Sequence, residues 1–186
     1  MEKNSTKAMI ITLATIGIIS AILLTFVYQW TIPYIEANQE ETRRIAINEV
    51  LPTAEEINQV ERESQIFYEG YDSSGNRVGM AYQHSGGGYN GPIELMIGVD
   101  LEAEEITRIS ILNHQETPGL GARITEEEYK SNFAGKPFGD YVVVKTPPSE
   151  TMEVQAVAGA TISSANTTRI VEEAVSMINN AYGGGS

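Results

Sequence analysis

No charged side chain occurs between Ala8 and Ile35. Within that run, residues 9 to 27 are dominated by Ile, Leu, Ala, Thr and Val. Crossing a hydrocarbon core takes about 20 apolar residues, so the run is long enough to span a bilayer as one helix. Tyr28, Trp30 and Tyr34 stand at its far end, where amphipathic rings favour the headgroup layer. A buried helix of a soluble domain would show a polar face, and this run has none. A cleaved secretory signal also begins with a basic segment, but its apolar part is about 7 to 15 residues and a small-x-small site closes it. The length favours an anchor over residues 8–30. Lys3 and Lys7 precede the span, whereas Glu36, Glu40 and Glu41 follow it. The positive-inside bias then predicts a cytoplasmic tail, residues 1–7, and an extracytoplasmic remainder held at the cell (inner) membrane.

That remainder is strongly acidic. Of the whole chain's net charge of -13, residues 31 onward carry 10 of the 12 basic and 24 of the 25 acidic side chains. Such a domain repels phosphate backbones and anionic lipid surfaces, which excludes nucleic acid as a partner and leaves lipid contact to the anchor. There is no cysteine, so disulfides, iron–sulfur ligation, thiolate zinc sites and thiol nucleophiles are all excluded. With His84 and His114 as the only histidines, no metal centre is expected. An electron carrier here would be organic, a flavin or a quinone.

The 186 residues suit one compact domain beyond the anchor. Residues 31–63 read as a membrane-proximal helical connector, with scattered apolar positions at Ile35, Ile45, Ile47 and Val50 and a stop at Pro52. The domain proper is expected over 64–182. A hairpin is predicted from residues 64–72 and 78–84 around Ser73-Ser74-Gly75-Asn76, with Gly86-Gly87-Gly88 breaking the pattern. Strands are expected over 92–99 and 105–112. Thr125 to Glu128 has the form of a capping box and predicts a helix over 126–134. Tyr141 to Val144 reads as a buried strand, and Pro147-Pro148 stiffens the connection after it. Apolar residues at Ile162, Ala165, Ile170, Ala174, Val175 and Ile178 form a helical stripe over 162–182. This mixed order points to an α+β fold with an antiparallel sheet and flanking helices. The closing residues 183–186, Gly-Gly-Gly-Ser, read as a flexible linker outside the fold.

Three segments carry possible chemistry. Gln155-Ala156-Val157-Ala158-Gly159-Ala160-Thr161-Ile162-Ser163-Ser164 lies where a loop feeds the last helix. A threonine there can cap the helix, and free N–H groups with the positive dipole end favour a phosphate. Gly159 and Ala160 are small enough for a bulky group to approach the backbone. Alone, the segment is equally an ordinary helix start. His114-Gln115-Glu116-Thr117-Pro118-Gly119-Leu120-Gly121 is a tight loop that exposes its backbone, with polar contacts offered by Glu116 and Thr117; an ordinary turn reads the same way. Gly86 to Ile93, containing Tyr89, is a flexible loop with one aromatic, or simply a hairpin connection.

Together these segments resemble the G subunit of the Rnf electron-transport complex, within the covalent FMN-binding domain class. The resemblance rests on Gly88-Tyr89-Asn90-Gly91-Pro92-Ile93 leading to Met96-Ile97-Gly98-Val99-Asp100, on His114-x-Glu116-Thr117-Pro118-Gly119-Leu120-Gly121, on Asn132-Phe133-x-Gly135-Lys136, and on Gly159-Ala160-Thr161-Ile162-Ser163. It implies FMN joined by a phosphoester to Thr161, installed by a flavin transferase that uses FAD as donor. It also implies a non-autonomous electron-transfer subunit, partnered by the other membrane and peripheral subunits of the Rnf complex. That complex passes electrons between ferredoxin and NAD and exports Na+ or H+. Glu116, Thr117, Gly119, Leu120, Gly121 and Tyr89 are expected around the flavin, with Gly159, Ala160, Ile162, Ser163 and Ser164 at its phosphate. The family commonly has Asp where Gln155 stands and Ser where Ala158 stands. The equivalent subunit of the Na+-pumping NADH:quinone oxidoreductase resembles the chain too, but is usually longer. A third reading is a membrane-tethered binding or scaffold domain without a redox role.

Overall fold

The computed structural model describes residues 3–183, with side chains from residue 6. It divides into two units, Met1–Glu41 and Thr42–Ser186. Helix α1, Lys3–Val50, supplies the first unit and the opening of the second. Among the described residues it is the one helix long and apolar enough to cross a membrane, and none of its apolar window is buried in protein. Such a helix fits a single-pass anchor. The hydroxyls of Thr12, Thr15 and Thr25 donate to carbonyls one turn back at 2.8–2.9 Å, which satisfies polar atoms without water. Pro33 lies inside the helix rather than between two helices. It removes one backbone donor, a loss that a long apolar helix tolerates.

In the second unit a six-stranded sheet runs β1 (Glu56–Arg62), β2 (Gln65–Tyr71), β3 (Arg77–Gly87), β4 (Pro92–Asp100), β5 (Glu105–His114) and β6 (Lys136–Pro137), in that order and antiparallel throughout. The expected hairpin and the two following strands are present. β1 falls inside the stretch assigned from sequence to the helical connector, so that assignment holds only as far as Val50. β1 is an edge strand with no buried residue, and its polar sequence hides it from a hydrophobic-pattern reading. Gly86 and Gly87 do not break β3 but continue it, paired with Ile93 and Pro92. A Cβ on Gly86 would sit 2.6 Å from Ile170, so glycine here admits the last helix rather than a turn.

Both faces of the sheet are covered. One carries α3 (Thr161–Tyr182) over Phe67, Met80, Ile93, Leu95, Ile97 and Ile109. The other receives the end of α1, where Ala46, Ile47, Val50 and Leu51 meet Tyr68, Ala81 and Met96. That end lies flush on the strands because Gly98 carries no side chain; a Cβ there would collide with the Val50 carbonyl. Glu49 fastens the same turn, accepting from Ser110 Oγ at 2.6 Å and pairing with Lys130.

Between β5 and α3 the chain is irregular. A 3-10 turn Gly121–Thr125, the single turn α2 (Glu127–Lys130) and a second 3-10 turn Ser131–Phe133 replace the continuous helix expected over 126–134. The capping box does not form: Thr125 donates back to Ala122 O at 2.9 Å, and the Glu126 side chain at the cap position makes no capping bond but accepts from Arg123 Nε instead. β7 (Val142–Val144) pairs in parallel with β8 (Glu153–Gln155) as a separate small sheet. Of the strand expected to be buried, only Tyr141 is, and Val142 faces outward. Burial pushes the Tyr141 phenol up to about 12.

Candidate functional site

Three loops converge on the first turn of α3, and one buried carboxylate holds them. Glu116, 4% exposed, accepts the Tyr89 N–H at 2.6 Å and the Asn90 N–H at 3.2 Å through Oε1. Its Oε2 accepts Ser163 Oγ at 2.6 Å. Asn90 Nδ2 donates to Thr117 Oγ1 at 2.8 Å, a second tie between the same two loops. A Cβ on Gly88 or on Gly121 would come within 2.5 Å of a Glu116 oxygen, so both glycines make room for the carboxylate. His114 Nδ1 accepts the Glu116 N–H at 3.2 Å, which is a structural part for that histidine.

The start of α3 is held from within. Ala160 occupies the cap position and offers no side-chain acceptor. Thr161 is the first residue of the helix, not its cap. The capping bond expected of it is absent, and its hydroxyl makes no hydrogen bond among the described residues. Ser164 does the fastening, with its Oγ accepting the Val157 N–H at 2.9 Å and donating to Ala160 O at 3.0 Å. The Tyr129 hydroxyl donates to Ser164 O at 2.9 Å, and burial raises the pKa of that phenol. Gly159 takes φ +79 just before the helix, a conformation that glycine adopts without strain. The first-turn N–H groups have no intrahelical acceptors, and the dipole's positive end lies with them.

In front of this turn opens a cavity of about 710 Å³. Ten of the residues singled out from sequence line it: Tyr89, Glu116, Thr117, Leu120 and Gly121 from the loops, and Gly159 through Ser163 from the helix start. Tyr89, Leu120 and Ile162 are 64%, 48% and 58% exposed and give the mouth an apolar rim. Two expected residues lie elsewhere. Ser164 is fully buried behind the turn, and Gly119 shapes the loop at φ +74 without reaching the cavity. Sequence reasoning missed Lys145, Ala156 and Val157, which also line it. The available signal was pairing: β7 and β8 set Lys145 beside the segment leading into the motif. A smaller cavity of about 130 Å³ adjoins, sharing Lys145, Ala156, Val157 and Ala158. Gln155 lines only this second space, and its N–H donates to Asn132 Oδ1 at 3.1 Å.

The stripe expected along α3 is phased differently at its beginning. Ile170, Ala174, Val175 and Ile178 are buried as expected, but Ile162 and Ala165 face outward. Ser163, Ser164, Thr167 and Thr168 take the buried positions, and the last two bond back to carbonyls one turn earlier at 2.9 Å. Of these four only Ser163 lines the cavity; the others are buried behind it.

The FMN-binding domain family matches residues 88–176, which contain all three loops and most of α3. The G subunit of the ion-translocating oxidoreductase complex of Methanosarcina acetivorans is 32% identical, over 98% of this chain and 98% of its own length. This chain belongs to the family of G subunits of ion-translocating oxidoreductase complexes. A second member, the G subunit of the proton-translocating ferredoxin:NAD(+) oxidoreductase complex of Clostridium ljungdahlii, is 30% identical over 98% of this chain and 97% of its own. The fold is also that of NqrC from Shewanella oneidensis, with a TM-score of 0.53, 20% identity and 66% of each chain covered. The two G-subunit relatives thus match nearly end to end, whereas the NqrC likeness is confined to part of each chain.

Proposed function

We propose that this chain is a membrane-anchored electron relay of an Rnf-type complex, carrying FMN joined through a phosphoester to Thr161. The observation that carries the reading is the unbonded Thr161 hydroxyl, at a free helix N-terminus, in the wall of a cavity whose volume suits a cofactor. The glycine at 159 and the small side chains around it leave the backbone open to a phosphate. Glu116, spent on three hydrogen bonds, orients the loops and leaves Thr117, Leu120, Tyr89 and Ile162 to surround the ring.

Bound there, FMN supplies reversible electron transfer, and the chain itself performs no chemistry on a diffusible substrate. Among the described residues no acceptor bonds the Thr161 hydroxyl to activate it, and a flavin transferase supplies that activation. The threonine oxygen bonds to the flavin-side phosphorus of FAD as the bond to AMP breaks. AMP leaves, and the hydroxyl proton passes to the transferase. Partners are the other subunits of a ferredoxin:NAD oxidoreductase exporting Na+ or H+. The orientation is N-terminus in the cytoplasm, with the flavin domain outside.

Mass spectrometry of the denatured full chain, matured with a flavin transferase, tests the attachment. The expected result is an added mass of FMN less water in wild type and none in Thr161→Ala. An unmodified wild type, or an adduct surviving in Thr161→Ala, overturns the reading.

A further inference from the structure

Lys145 lines the cavity without a partner of its own among the described residues, unlike most basic residues of this acidic domain. Lys130 pairs with Glu49 and Glu127, Arg123 with Glu126 and Glu128, and Arg169 with Glu173. Arg62 and Arg77 lie against Glu69. Lys145 makes no ion pair or hydrogen bond among the described residues, although acidic side chains greatly outnumber basic ones. It is also the one cation in the lining of the 710 Å³ cavity. Glu116, the one carboxylate there, already accepts three donors. A positive charge left unanswered in the wall of a cavity is a counter-charge for an anion that enters it.

The pairing of β7 with β8 decides which part of the ligand that is. Val144 lies opposite Gln155, and the Ala156 N–H donates to Val144 O at 2.8 Å. Lys145 therefore follows directly beside Ala156 to Ala158, the stretch that runs into Gly159, Ala160 and Thr161. Ala156, Val157 and Ala158 line both cavities, as Lys145 does. The apolar rim comes instead from Tyr89 and Leu120 in the other loops and from Ile162. We infer that Lys145 is the positioning cation of this site, its ammonium set against the phosphodiester anion on Thr161 and acting with the first-turn N–H groups of α3. The inference rests on the flavin reading above. A lysine suits the task because it delivers a point charge on a flexible stem without imposing a geometry on the group it meets.

Full-length wild type, Lys145→Gln and Lys145→Arg are matured with the transferase and compared by 31P NMR of the attached flavin and by the time course of flavin loading. Far-UV circular dichroism is expected to be the same for all three, since Lys145 is exposed and makes no packing contact in the core. The expected result is a displaced phosphodiester resonance and loading several-fold slower in Lys145→Gln, both restored in Lys145→Arg. Complete loss of loading in Lys145→Gln with recovery in Lys145→Arg supports the assignment equally. Identical resonances and rates in wild type and Lys145→Gln overturn it while leaving the attachment at Thr161 intact. A Lys145→Arg protein that behaves like Lys145→Gln also overturns it. A wild type that takes no flavin overturns both readings together.

Discussion

Glu116 and Thr161 illustrate two opposite uses of a polar side chain. Glu116 is buried and saturated, so its value lies in what it holds in place. Thr161 is accessible and unbonded, so its value lies in what can be added to it. Removing the first should harm the fold as well as the site. Glu116→Ala leaves the Tyr89 and Asn90 N–H groups and the Ser163 hydroxyl without their acceptor. Hydrogen bonds to a charged group are worth about 1.5–3 kcal/mol each but are not additive, and water partly replaces them. A stability loss of about 3 kcal/mol is expected, read as a lower urea midpoint, with Glu116→Gln losing much less. An unchanged midpoint in the alanine variant would show that the carboxylate does not hold the loops.

Among the elements, the clamp between the end of α1, β5 and α2 is one that responds to pH. Burial raises the Glu49 carboxyl, but the hydrogen bonds from Lys130 and Ser110 and the charges of Lys130 and Arg108 outweigh it, so the net shift is downward from 4.5. A group lowered on folding stabilises the protein above its unfolded pKa, and that contribution is lost as pH falls through the folded value. Lys130 is the mirror case. Burial lowers it, bonding to Glu49 and Glu127 raises it further, and its contribution is lost only as pH climbs above 10.5. Urea midpoints followed from neutral pH to below 4.5 should fall in wild type, and fall less in Glu49→Gln. Equal slopes would remove Glu49 from the acid response. The same elements show what was legible beforehand. β2 to β5 and α3 announced themselves because their apolar periods are long and strong. β1 did not, since an exposed edge strand has no apolar face; the signal at Thr125 marked the helical stretch of α2 and the turn after it, but not its break into short turns around the buried Ile124, Tyr129 and Phe133. Ten site residues were legible through their motifs. Lys145 was not, because its relevance arises only when β7 pairs with β8.

For the molecule as a whole, the division at Thr42 has an experimental meaning. The second unit holds both hydrophobic clusters, including the last turns of α1, and so carries everything needed for its own core. A glutamate-specific protease added outside intact cells should cut among Glu36, Glu40 and Glu41 and release a folded, soluble fragment that begins near Thr42. Complete protection of the chain would overturn the proposed orientation, and release of an aggregated fragment would deny the unit its independence.

The single carboxylate at 116 also fixes the order of events in the life of the chain. It gathers residues 88–91, 114–121 and 160–164, which are remote in sequence and meet only after β3, β4 and β5 have paired and α3 has docked. No nascent piece of the chain, not even one containing Thr161, offers the cavity. Under the proposed chemistry attachment therefore comes after folding, and the fraction of chains bearing flavin becomes a census of those that have finished.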